Sequence, residues 1–201
     1  MKVKLIFTQK HKHWPCTIEQ RNNPDLPVPT PQCAYFTKYK QQFRGEEYDA
    51  ERLFFLYQQN PGYWFGTLGY HQGDTEGITF LSKNGELVYV IFSVHSKREA
   101  FIMKPDECKY DNEGYLLGFV APNSNATYPE PGIHWRIFGV ANDITSTYGK
   151  IWEVSPLIET NELPRPTLHD QTLTKWQRFC WDCSWKHYVV FALFFVLLLF
   201  V

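Results

Sequence analysis

From Tyr63 onward, short apolar runs alternate with turn signals about every 8–12 residues, the pattern of an antiparallel meander. The runs are YWFGTLGYH, GITFLS, ELVYVIFSV, REAFIMK, ECKY, GYLLGFVA, GIHWRIFGV and GKIWEVS. Asn84-Gly85 separates the second from the third. Asn-Gly between two β-rich runs predicts a two-residue hairpin, because both residues tolerate the positive φ of a type I′ turn. About eight strands with no helix between them predict an all-β domain, closed into a barrel or stacked as a β-sandwich.

The flanks have other periods. In residues 1–45, prolines at 24, 27, 29 and 31 fix φ and remove backbone donors, which predicts an extended surface arm. GEEYDAERLFFLYQQN has acids in its first turn and ends at Asn60-Pro61-Gly62, so it predicts a helix. After Pro164 the period turns helical again. Leu173, Trp176 and Cys180 share one face, and Thr167 or Asp170 is placed to cap the start. The expected units are an arm at 1–45, a barrel domain with flanking helices at 46–180, and a membrane-proximal segment with an apolar anchor at 181–201.

That last segment, WKHYVVFALFFVLLLFV, carries no charge from Tyr188 onward. A soluble helix keeps a polar stripe, and this one is apolar all round. As a helix, 188–201 would be about 21 Å long against about 30 Å of hydrocarbon, with Trp185, Lys186, His187 and Tyr188 as an interfacial collar. A single-pass anchor is expected. A cleaved lipid-attachment signal is less well served, because Asp182-Cys183-Ser184 leaves almost no polar spacer.

Composition narrows the classes. Twenty basic and 21 acidic residues give no net field for nucleic acid. Aromatics at 17 %, with 13 Pro and 12 Gly, suit strands and turns. Five cysteines leave one unpaired under any disulfide scheme. The sequon Asn125-Ala126-Thr127 between Pro122 and Pro129 predicts a glycosylated loop, while the first residues show no apolar signal sequence. The two observations oppose each other and leave the side of the membrane open.

Gly62-Tyr63-Trp64-Phe65, then WRIFGVANDITSTYGKIWEV with Asp143 and Tyr148, then Arg165 before the last helix, follow one another in order. Over about residues 60–180 this resembles the lipocalins, whose barrel opens on G-x-W-[YF]. The Asp143–Tyr148 spacing is wider than that family's. The resemblance implies an eight-stranded barrel for a small apolar ligand, with Trp64 closing its floor. Period-two alternation from Trp64 then places Leu68, Tyr70, Ile78, Phe80, Tyr89, Ile91, Phe101, Met103, Ile133 and Trp135 inward. The alternative is a membrane-anchored sandwich with a filled core that recognises a protein.

Metal and catalytic chemistry find little support. Cys180-x-x-Cys183 with His187 and His169 has zinc-like spacing but lies at the membrane collar, where palmitoylation is another use. His11-Lys12-His13 with Cys16 reads as a solvated arm. There is no G-x-S-x-G, H-E-x-x-H, P-loop or G-x-G-x-x-G. No enzyme, cofactor or metal is expected.

Overall fold

The computed structural model describes residues 2–63, 69–94, 100–135 and 142–163. The Asn84-Gly85 hairpin is present. Both residues have positive φ, 53° and 81°, and Lys83 pairs with Glu86 across the turn. It joins β4 (His71–Lys83) to β5 (Glu86–Ser93). A second hairpin of the same kind joins β2 (Ala34–Phe43) to β3 (Glu46–Asn60), with φ of 52° at Arg44 and 77° at Gly45.

The segment expected to be a helix is therefore a strand of 15 residues. Its even positions Tyr48, Ala50, Phe54 and Leu56 are buried on one face of the sheet and Leu53, Phe55 and Tyr57 on the other. A strand buried on both faces shows a continuous apolar run instead of alternation. That run, following acidic residues, imitates a helix start.

The N-terminal segment is not a separate arm. Val3–Thr8 forms β1, parallel to β7 (Leu116–Val120) and antiparallel to β11 (Gly149–Glu153). With β8 (Thr127–Tyr128) they make a four-stranded sheet in the order β11-β1-β7-β8. β2 to β5 continue into β6 (Ala100–Met103) as an antiparallel meander. β12 (Leu157–Glu159) is added parallel to β2, giving six strands in the order β12-β2-β3-β4-β5-β6. β9 (Gly132–His134) and β10 (Asp143–Thr145) form a two-stranded ribbon.

Among the described residues both larger sheets have free edges, so the expected closed barrel, and with it the lipocalin reading, is not supported. The meander breaks after β6 because β7 pairs with β1. The domain is mostly β, and the sandwich alternative describes it. One buried cluster joins the sheets: Val3, Leu5, Phe7, Leu116 and Val120 from the smaller meet Leu53, Phe55, Ile78, Phe80, Val90 and Phe92 from the larger. Burying each such side chain contributes roughly 1.5–3 kcal/mol before chain entropy is counted.

Prolines do keep residues 23–33 irregular, but this stretch belongs to a strap over residues 16–33, packed on the outer face of the larger sheet. Cys16, Cys33, Tyr35, Phe54 and Leu56 form a buried cluster there, against Ile18 and Val28. The strap carries the five-residue helix α1 (Ile18–Asn22), capped by Thr17 and Gln20 in a reciprocal capping box. Among the described residues no helix is long and apolar enough to cross a membrane, so the expected single-pass anchor finds no support there. The tail at 185–201, the helix expected at 167–180, and Trp64, Leu68, Arg165, His169, Cys180, Cys183 and His187 lie outside the described residues.

Candidate functional site

The expected ligand-lining residues do not surround one space. Phe80, Phe101 and Met103 face the interior between the sheets, Phe80 inside the packed cluster and the other two against it. Tyr89 and Ile91 sit on the opposite face of the same sheet, with Phe43, Tyr48 and Leu81. Counting alternation from Trp64 across intervening turns placed them inward, and every turn residue can reverse the parity. Ile78 is core, Ile133 is exposed, Trp135 is half-buried, and Tyr70 is exposed beside β4. Among the described residues, the space between the sheets holds one packed apolar cluster.

Polar chemistry gathers instead at one end of the sandwich, where β3 finishes, β4 begins and the 121–128 loop crosses. β4 turns Asp74 and Glu76 onto the same face as Ile78 and Phe80, and both acids are buried. Asp74 accepts from Asn125 Nδ2 at 2.8 Å and from the Thr75 amide at 2.8 Å. Its Oδ1 lies 3.4 Å from Nε2 of the half-exposed His71, and this contact holds His71 protonated above its ordinary range. Arg21 of α1 reaches across, donating to the Gly73 carbonyl at 2.6 Å and the Asp74 carbonyl at 3.4 Å.

Asn125 is fully buried at φ 58°, and its Nδ2 also donates to the Gln59 carbonyl at 2.9 Å. That nitrogen is the atom a glycan would occupy, so in the folded domain Asn125 is a structural link and the expected glycosylation has no room. Pro122 and Pro129 signalled a loop, but the loop packs inward.

The network continues through the next residues. Asn60 donates to the Ser124 carbonyl at 3.0 Å, and Ser124 Oγ donates to Asp143 Oδ1 at 2.8 Å. Asp143 also accepts from Tyr128 at 2.7 Å and from Tyr63. Tyr128 stacks on His134 at 3.6 Å with the rings 6° apart. Thr145 Oγ1 accepts from the Gly132 amide at 3.0 Å and lies within hydrogen-bond distance of the Glu130 carbonyl, 3.1 Å, and of His134 Nε2, 2.9 Å. Of the residues marked for the lipocalin motif, Asp143 is a buried hub, Gly62 serves a turn at φ 71°, and Tyr148 is 77 % exposed.

Among the described residues, several buried polar atoms have no hydrogen-bond partner: Tyr57 OH, Asn125 Oδ1, Thr8 Oγ1 and Thr127 Oγ1. Tyr57 pairs across the sheet with Asp74, and the His11 and Tyr57 ring centroids are 6.3 Å apart. Burial, reinforced by Glu76 and Asp74, raises the Tyr57 phenol well above its ordinary value, so it stays a proton donor. Burial lowers His11 to about 3, so its ring stays neutral. Among the described residues no three His, Cys, Asp or Glu side chains converge as metal ligands.

The sequence offered a signal for this site that periodicity could have used. Acids at 74 and 76 occupy the core-facing positions of a strand whose next members are Ile78 and Phe80.

No protein-family model matches the chain, and no curated protein matches it in sequence. Solved structures similar to it include one described as a toxin fold for microbial attack and plant defense, at 16 % identity and TM-score 0.44, covering 79 % of this chain and 69 % of that one. Another is NLPPya in complex with glucosamine, at 14 % identity and TM-score 0.42, with coverage of 79 % and 69 %. A third is necrosis and ethylene inducing protein 2 from the causal agent of cocoa's witches' broom disease, at 13 % identity and TM-score 0.45, covering 79 % and 70 %.

Proposed function

We propose that the protein is a recognition module: a β-sandwich that binds by its polar end and performs no catalysis. What supports this reading is the contrast between the packed apolar cluster between the sheets and the polar end. There buried Asp74 meets the half-exposed His71 beside Tyr57 OH and Asn125 Oδ1, which have no partner among the described residues. Buried polar atoms normally find partners, and a cluster of exceptions marks a place where a ligand's hydrogen bonds are worth most. A carboxylate beside acceptor and donor groups suits a small hydroxylated molecule bearing an amine. Tyr70, 49 % exposed next to His71, offers a ring face for it to lie on.

Titration calorimetry with an amino sugar such as glucosamine tests this reading. Saturable binding is expected, weakened roughly tenfold or more in Asp74→Asn, the loss of one charge-assisted hydrogen bond. Saturable binding of fatty-acid or retinoid probes, with none of the amino sugar, would contradict it.

A protein partner is the second reading. Ile133 and Ile144 are direct cross-strand partners on the β9–β10 ribbon and are 53 % and 55 % exposed. His134, Asp143 and Thr145 on the same ribbon are buried in the polar network, so this apolar pair is held rigidly beside the site.

A further inference from the structure

Cys16 and Cys33 stand at the two ends of the strap. Both are buried, at 0 % and 2 % exposure, and belong to one apolar cluster with Tyr35, Phe54 and Leu56. The thiol of Cys33 lies 3.9 Å from the Cys16 carbonyl oxygen. The backbones beside them are tied together, Gln32 N donating to Pro15 O at 2.9 Å. Cys16 N donates to Leu56 O at 2.8 Å, which fixes that end to β3. Cys108 is on the other side of the larger sheet, packed against the inter-sheet core, so the sheet itself keeps it from either thiol.

We propose that Cys16 and Cys33 form a disulfide that locks the strap, and with it α1, onto the outer face of the six-stranded sheet. The thiols are free in the structure, which is the reduced form of the pair. Oxidation by a small-molecule disulfide such as oxidised glutathione balances as follows. The Cys16 thiolate attacks one sulfur of the oxidant, breaking its S–S bond and releasing one glutathione thiolate. The Cys33 thiolate then attacks the Cys16 sulfur of the mixed disulfide, forming the Cys16–Cys33 bond and releasing the second glutathione. The protein loses two thiol protons and two electrons, and the oxidant is reduced to two thiols.

Burial pushes the Cys16 thiol up to about 12 and raises Cys33 as well. Thiolate is therefore scarce once the cluster has closed, and exchange is fastest while the strap is still forming. Once made, the bond lies buried in that cluster. It holds Arg21 where it donates to the Gly73 and Asp74 carbonyls, whether or not a ligand binds there.

The test is refolding of the full chain in a glutathione redox buffer, followed by alkylation in denaturant and peptide mapping. A Cys16–Cys33 linked peptide is expected, with three alkylated cysteines of the five. A crosslink over 17 residues should raise the midpoint of thermal unfolding by about 6–12 °C, and the gain should vanish on reduction. Both cysteines alkylating after refolding, or either one linked to Cys108, Cys180 or Cys183, would overturn the proposal. Peptide mapping of the unaltered chain decides the matter even if Cys33→Ser fails to fold.

Discussion

Replacing Asp143 by alanine should lower the free energy of unfolding by about 3–5 kcal/mol, read from the midpoint of a urea melt at neutral pH. The carboxylate is fully buried and accepts from Tyr63, Ser124 and Tyr128. Truncation leaves three hydroxyls in a dry site without that acceptor, and each uncompensated group costs about 1–3 kcal/mol. Asp143→Asn should cost less, because one amide oxygen still accepts and a rotated hydroxyl can accept from the new NH2. A loss below about 1 kcal/mol for the alanine variant would mean that water replaces the carboxylate freely. The hub would then be no part of a closed network.

The second large effect is acid sensitivity from His11. Its ring lies against Phe7 at 4.9 Å and Trp14 at 5.6 Å, and burial lowers it to about 3, with only the His13 backbone acting the other way. The ordinary histidine value is about 6.5, so between pH 6.5 and 3 the unfolded chain takes up a proton that the folded chain refuses. Stability must then fall as pH falls, by up to about 1.4 kcal/mol per pH unit and about 4 kcal/mol across the window. His11→Leu removes the group without removing its bulk. Urea melts at pH 7, 6, 5 and 4 should show the wild type losing more than the variant at each step, the other titrating groups cancelling in the difference. Parallel losses would place His11 in contact with water.

Local chemistry made some of this fold legible and left the rest hidden. Asn84-Gly85 could be read because both residues suit positive φ. Arg44-Gly45 makes the same turn with a residue that gives no such notice. The period-two rule holds within β4 and β5, but parity was lost between strands, which is how Ile91 and Tyr89 came to be assigned to the interior. β1 is apolar enough to be a strand, yet its partners at 116–120 and 149–153 lie more than a hundred residues away, beyond any local pattern. The same distance hid the end of the sandwich. Tyr70, Asn125 and Asp143 were each singled out for other reasons; the pairing of β3 with β4 sets Asp74 near Gln59, and the loop at 121–128 crossing that end brings Asn125 to both.

The central claim is that ligand is met at the polar end and that the interior is full. Backbone amide NMR of the isotope-labelled chain, titrated with glucosamine, tests it most directly. Shifts that saturate at Tyr70, His71, Gly73, Asp74 and Asn125, with Phe55, Phe80 and Phe92 unmoved, are the predicted result. Shifts confined to the core residues, or to the outer-face residues Tyr89 and Ile91, would contradict it.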